Sequence, residues 1–425
     1  MRARPTRRRI ALALASLTAL SLVIAGCAAD EHVEIDVPAQ VDAAFPEATA
    51  QQLQDAVSHA MTAAGASGAI VGVWAPWSGT LITGMGVESA TDDTPVTDDM
   101  EFRAARVTRA MTCDVLYAVA DQGVVALNDP VTKWVSGFPD LSDITLAQLC
   151  DSTSGIGSYS WQLMQLFLSN PQRVWNPHEL VSYGVGQPRE GEPGAAYRDS
   201  DAGYVLLGIA LERATGRSAA DLLAEYVVDP LDLTGTRLPA GSASPSDSAL
   251  AGHHSLPDPA GVMNCAEPLD VTNLSASMGY TDSGVVSNIR DLGRYAQALA
   301  AGAILPPGAD RFAGPHAVYG GAPSWYSTAG GALQAGPLIG QYGSVPGYAT
   351  AAFADPSTGL TVAVVLNNSG GGGGFAGDLA WELAAIASKA PPVAGTALTG
   401  AGVPWTAQQY HDILTAEAIC AAPPE

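Results

Sequence analysis

The sequence predicts an α+β fold: one sheet assembled from distant segments, with a helical lobe filling the middle of the chain. Three observations predict it. Strand-like runs lie towards both ends of the 425 residues, helical spacing dominates between them, and no internal repeat divides the chain. The length suits one large two-lobed domain or two ordinary ones. Apolar residues make up 47%, enough for a sizeable core and too many for wholesale disorder.

In chain order, Gln51 to Ala64 carries apolar residues at helical spacing: Leu53, Val57, Ala60, Met61 and Ala64. Ala69 to Trp74 and Thr80 to Val87 read as two strands of a hairpin, joined by Pro76-Trp77-Ser78-Gly79. An acidic loop, TDDTPVTDDME, follows. Ala104 to Gln122 reads as a long helix stopped by Gly123. A short helical piece begins at Leu146 to Leu149, before a Thr-Ser-Gly turn. Asp201 to Thr215, Ala219 to Tyr226 and Asn288 to Ala301 are helical. Tyr348 to Ala354 and Leu360 to Leu366 read as strands around an Asp-Pro-Ser-Thr-Gly turn. The Gly370 to Gly374 run has no Lys-Ser/Thr after it, so it reads as flexible backbone and not as a phosphate cradle. Phe375 to Ser388 and about Thr406 to Ile419 complete the helices.

The N-terminus carries Arg2, Arg4, Arg7, Arg8 and Arg9, then an apolar run from Ile10 to Gly26, then Ile24-Ala25-Gly26-Cys27. This is a secretory signal pattern, and it is similar to a bacterial lipobox, in which the cysteine is lipidated. The expected organisation is a lipoprotein signal peptide over 1–26, lipidation at Cys27, a tether over 27–50, one domain over 51–390 and a helical tail over 391–425. The alternative is an uncleaved anchor, but the apolar run is short of the roughly 20 residues a span needs. Without the signal, 42 acidic against 14 basic residues leave a net charge of −28. Such a surface repels nucleic acid, so no nucleic-acid partner is expected. The expected location is the outer face of the cytoplasmic membrane, held through the lipid.

Beyond Cys27, four cysteines remain: Cys113, Cys150, Cys265 and Cys420. Their spacings suit no zinc site, so no metal and no cofactor is expected. An even number in an oxidising compartment points to disulfides, with three pairings open and free thiols as the alternative.

Six blocks then carry a family resemblance in order and spacing: FRAARVTRAMTC, ITLAQLCDSTSGI, PGAAYRDSDAGYVLLGIALERATG, DPLDLTGTRLP, DSGVVSNIRDLGRYAQAL and QYGSVPGYATAAFADPSTGLTVAVVLNNS. From about residue 51 to 390 the chain resembles the serine β-lactamase and D-alanyl-D-alanine carboxypeptidase family, the penicillin-binding-protein-like class C type. The resemblance implies a β-lactamase/transpeptidase-like fold, an antiparallel sheet flanked by helices plus a helical lobe. It also implies the disulfides Cys113–Cys150 and Cys265–Cys420, because the Thr153-Ser154-Gly155 turn packs against the site helix in that family.

The family's chemistry is covalent: a helix-start serine attacks a carbonyl, and a lysine one turn on handles its proton. Where the family helix opens like FRIGSVTK, Phe102, Arg103, Val107 and Thr108 hold the register here. The serine position is then Arg106 and the lysine position Arg109. In the Tyr-x-Asn element the tyrosine position is Asp199 and the asparagine position Asp201. The Lys/His-x-Gly element reads Gln341-Tyr342-Gly343. Tyr197 lies two residues early, a poor substitute for the missing phenol. Neither lysine of the chain, Lys133 or Lys389, has a serine three residues before it, so Ser-x-x-Lys is absent.

An arginine is neither a nucleophile nor a proton acceptor near neutral pH. Loss of a catalytic serine alone costs about a factor of a million in turnover. The replacements match in sign, so Arg106 is expected to pair with Asp199 and Arg109 with Asp201, plugging the old site. The alternative reading makes the two aspartates an acid/base pair or a metal site. Ser154, Ser200 and Ser344 offer hydroxyls without a placed base, and His178, His253, His254 and His316 read as loop histidines. The expected function is a non-catalytic envelope lipoprotein, a pseudoenzyme that binds a peptidoglycan fragment or another envelope protein. The alternatives are an active serine hydrolase using non-standard residues and an interaction protein with no cleft.

Overall fold

The computed structural model describes residues 32–241, 246, 248–396 and 402–420. The expected signal segment and Cys27 lie outside the described residues. In chain order the elements are α1 (Glu47–Ala64), β1 (Gly68–Ala75), β2 (Gly79–Ser89), β3 (Asp92–Pro95), β4 (Phe102–Arg103), α2 (Val107–Asp121), α3 (Leu146–Cys150), α4 (Ser160–Ser169), α5 (Pro177–Val185), α6 (Asp201–Thr215) and α7 (Ala219–Leu223). Then come β5 (His253–His254), β6 (Leu269–Asp270), α8 (Tyr280–Ser283), β7 (Val286–Ser287), α9 (Ile289–Ala301), β8 (His316–Ala317), β9 (Tyr326–Ala329), β10 (Ala332–Ala335), β11 (Leu338–Val345), β12 (Tyr348–Ala354), β13 (Thr361–Leu366), α10 (Gly374–Ala387) and α11 (Ala407–Ala416).

The main sheet has nine strands in the order β3-β2-β1-β13-β12-β11-β10-β9-β8. Every pairing in it is antiparallel, with Val71 opposite Val364 and Ala351 opposite Val364 in register. The central strands are apolar on both faces because both faces are covered. Alternate residues divide between two cores. Ala69, Val71, Val73, Val362, Val364 and Leu366 pack towards α1 and α10. Ile70, Ala363 and Val365 pack towards α2, α9 and the helical lobe. Helix caps account for several boundaries. Asn288 accepts hydrogen bonds from the Arg290 and Asp291 amides at the start of α9, and Gly302 ends it at φ 65°.

The acidic loop contains β3, an exposed edge strand whose charges fit an edge position. α2 begins three residues later than the spacing predicts, because Ala105 has φ 47° and cannot belong to a right-handed helix. The helix read from Ala219 stops at Leu223 and continues as a wide turn over Ala224–Val228. Residues 32–46, expected within a tether, are laid against the domain. The Val33 amide donates to Pro230, the Thr80 amide donates to Ala43, and Gln40 reaches the Ala75 and Gly79 carbonyls. The tail is likewise integral, with α11 packed on α10 and α1. Both expected disulfides are formed. Cys113–Cys150 ties α2 to α3, and Cys265–Cys420 ties the end of the tail to a mid-chain loop.

Candidate functional site

The β4–β7 pairing, with Phe102 opposite Ser287, delivers the chain to the start of α2. The left-handed turn at Ala105 then sets Arg106 in the N-cap position of α2. A cation at a helix N-terminus opposes the helix dipole, and this helix has no acid in its first turn. Asp199 supplies the missing negative charge: Arg106 Nη2 lies 2.8 Å from its Oδ2. The stem of Arg106 lies along Gly343 of β11, where a Cβ would overlap Cγ and Cδ of the arginine. Gly373 closes on the backbone of Gly343 and Ser344 from the other side, which gives the glycine run a packing role.

Arg109 is almost wholly buried. Its Nε donates to Asp282 Oδ1 at 2.7 Å, its Nη1 donates to Asp199 Oδ1, and its guanidinium stacks over the Tyr204 ring at 4.7 Å. Burial disfavours the Arg109 charge, but Asp199 and Asp282 outweigh it and hold the group firmly protonated. Burial likewise pushes the Asp199 carboxyl up. The two guanidiniums, Arg106 first, reverse this and hold it well below the usual carboxylate range. Tyr197, the displaced phenol, reaches Asp199 Oδ1 only at 3.5 Å.

The expected Arg109–Asp201 pair does not form. Asp201 accepts the backbone N–H groups of Tyr159 at 2.6 Å and Ser160 at 3.0 Å, so it caps α4. The unpaired amides at a helix start compete for a carboxylate, and α4 has no side-chain cap of its own. Helix α4 was not foreseen in the sequence, so neither was the competitor. Burial, and then the charge of Asp282, push the Asp201 carboxyl up to about 6. Asp282, on α8, is the site residue that sequence reasoning missed. It opens the fifth resemblance block, DSGVVSNIRDLGRYAQAL, but at none of the three catalytic elements, and only tertiary packing turns it towards Arg109.

Gln341 does not enter the cleft. Its side chain donates to the Gly331 carbonyl at 3.0 Å and accepts from the Tyr342 amide, folding back onto its own sheet. Nor does the charge network fill the cleft. A cavity of about 110 Å³ remains beside it, with Arg106, Asp201 and Asp282 on one side and Ser344, His254 and Ser369 on the other. Met164, Phe167 and Met278 add an apolar patch. His254, expected in a loop, pairs in the short β5–β6 ladder, and its Nδ1 lies 2.8 Å from Ser369 Oγ. Burial lowers the affinity of His254 for a proton, which keeps the ring neutral. Ser200 and Ser154 are consumed structurally. Ser200 caps α6 through the Gly203 amide, and Ser154 accepts from Ile156.

Chemically, the α2 end of the site offers fixed positive and negative charge and no nucleophile. The Ser369–His254 pair in the same cavity sets a hydroxyl beside a neutral base, and that hydroxyl also accepts from the Gly347 amide at 2.9 Å and reaches the His253 carbonyl at 3.3 Å.

Comparison with known proteins places this geometry. The family profile described as Beta-lactamase matches residues 53–386. The chain is 28% identical to penicillin-binding protein 4* of Bacillus subtilis over half of this chain and 48% of that protein. It is 29% identical to esterase EstB of Burkholderia gladioli over 39% of this chain and 45% of that protein. The matched region thus spans a little under half the length of these curated relatives. Among solved structures, the D-stereospecific amidohydrolase of a Streptomyces species superposes with a TM-score of 0.65 at 25% identity. That match covers 82% of this chain and 99% of that one. The penicillin-binding protein homologue of Pyrococcus abyssi superposes with a TM-score of 0.62 at 20% identity, over 79% and 76% of the two chains.

Proposed function

The chain belongs to the Beta-lactamase family, and on that premise we propose that it is an envelope lipoprotein that binds in the family cleft without hydrolysing its ligand. The observation that carries this reading is the pair of arginines at the serine and lysine positions of α2. Arg106 is held against Asp199, and Arg109 is locked between Asp199 and Asp282. Neither can attack a carbonyl or take a proton from a hydroxyl at neutral pH. The cavity that remains, lined by Arg106 and by the apolar Met164, Phe167 and Met278, suits a small carboxylate-bearing peptide. The relatives' names, which include a penicillin-binding protein and a D-aminopeptidase, point to a peptidoglycan stem fragment as the class of ligand.

The test mixes purified protein with a fluorescent penicillin and a chromogenic cephalosporin. No covalent label and no turnover above a mock purification are expected. Binding of a D-alanyl-D-alanine peptide, weakened by Arg106→Ala, supports the cleft role. Label on the protein, confirmed by intact mass, overturns the non-hydrolysing reading. Anchoring is tested by Cys27→Ala, which is expected to move the protein from the membrane fraction to the medium.

One observation favours a second reading, a hydrolase using non-standard residues: the 2.8 Å contact between His254 Nδ1 and Ser369 Oγ inside the cavity. An esterase activity abolished by both Ser369→Ala and His254→Ala would establish it.

A further inference from the structure

Across the sheet from the cleft, three helices distant in sequence bring three side chains together. They are His59 of α1, Glu382 of α10 and His411 of α11. One ligand-type atom of each lies within 4.8 Å of the other two. Their present hydrogen bonds leave capacity unused. His411 Nδ1 lies 3.2 Å from Glu382 Oε1, and His59 Nε2 lies 3.0 Å from Thr415 Oγ1. Glu382 is 3% exposed, and its second oxygen, Oε2, is buried without any donor, as is His59 Nδ1. A buried carboxylate oxygen with no partner is costly, and no lysine or arginine pairs with Glu382 among the described residues.

We propose that His59, Glu382 and His411 form a binding site for one divalent transition-metal ion of the zinc type. Two imidazoles and one carboxylate are a borderline donor set that suits zinc and its neighbours and not calcium or magnesium, which take oxygen ligands. Bond lengths of about 2.0–2.2 Å draw the three donors closer than they now lie. The two rings are stacked, with centroids 3.8 Å apart and 20° between planes, so binding tilts them apart to aim both lone pairs at one point. Both histidines are only half-buried, which leaves room for that tilt. A groove of about 390 Å³, lined by Glu382, His411, Asp55 and Lys389, opens onto the site and leaves a fourth position for water. With ligands from α1, α10 and α11, the ion clamps the tail helix onto the sheet-covering layer. The Cys265–Cys420 disulfide fastens the same segment at its far end.

The experiment uses the full chain, in detergent, purified through a tag that contains no histidine and stripped with a chelator. Titration calorimetry with Zn²⁺ is expected to give one site per chain. Thermal melts are expected to rise with Zn²⁺ or Co²⁺ and to stay level with Mg²⁺. His411→Ala and Glu382→Gln are expected to weaken Zn²⁺ binding by at least about tenfold, with the helical circular dichroism retained. Absence of stoichiometric binding by the unaltered chain overturns the proposal without recourse to any variant. Binding that survives both substitutions unchanged overturns it as well.

Discussion

Arg109 Nε and Asp282 Oδ1 lie 2.7 Å apart with side chains 2% and 6% exposed, which makes this the most buried contact of the charge network. A buried guanidinium with one carboxylate on Nε and another on Nη1 is held by the fold and in turn holds α2, α8 and the segment before α6 together. Such a pair contributes little net stability over an apolar replacement, but removing one partner strands the other.

Asp282→Ala is therefore expected to destabilise the protein by about 3–5 kcal/mol. Asp199→Ala is expected to cost less than Asp282→Ala, because the Asp199 side chain is one-third exposed and water screens part of the loss, while Arg109 keeps Asp282. Denaturant unfolding of Arg109→Ala, Asp282→Ala and the double variant checks this. Strict additivity of the two single effects would count against a coupled pair.

Asp201 makes stability depend on pH. Burial, and then Asp282, raise its carboxyl to about 6 in the folded protein, above the roughly 3.9 of an unfolded chain. The folded state therefore holds the proton more tightly. The contribution of Asp201 is fully present below the unfolded value and is lost as pH rises through about 6. Tyr159 and His254 line the same pocket; burial holds the Tyr159 phenol well above its ordinary value and His254 below its own, and comparison with Asp201→Asn separates Asp201 from both. Melting of the natural protein and of Asp201→Asn is expected to converge or cross as pH changes between 4.5 and 7.5. The slope is at most about 1.4 kcal/mol per pH unit. A constant difference across that range would remove Asp201 as the cause.

The disulfides span sequence separations of 37 and 155 residues. On chain-entropy grounds their loss costs about 4 and about 5 kcal/mol respectively. Replacing Cys265 and Cys420 together by serine is expected to lower the melting temperature and to expose the tail to limited proteolysis. A tail that stays resistant would show that α11 is held by packing alone.

Gly343 is the contact on which the Arg106 stem rests. Gly343→Ala is expected to displace that stem and destabilise by about 1–3 kcal/mol, whereas Arg106→Ala is expected to change stability by less than about 1 kcal/mol, because the Arg106–Asp199 pair is one-third exposed. Equilibrium unfolding of both variants decides it, and equal losses would contradict the geometry.

The legible parts of the fold share a cause. β1 carries Ile70, Val71 and Val73, and β13 carries Val362, Val364 and Val365; such β-branched runs announce buried strands. β9 and β10 escape the sequence pattern because Tyr326–Ala329 and Ala332–Ala335 are only four residues each, and β11 because Gly340, Gln341, Gly343 and Ser344 interrupt the apolar residues of Leu338–Val345. Helix α4 was missed because Tyr159 offers no side-chain cap. Its cap is Asp201, 42 residues away in sequence.

By itself the sequence determined the α+β class, the spacing of Arg106 and Arg109 three residues apart, and the absence of Ser-x-x-Lys, because these depend on local spacing and residue type. The expected Arg106–Asp199 pair forms, but tertiary structure alone decided which acids Arg109 meets. Asp201 turned to the α4 amides, Asp282 took its place beside Arg109, and a cavity stayed open where a plug was expected. The reason is that a charge takes the partner that best repays its burial, and several segments far apart in the chain compete to be that partner.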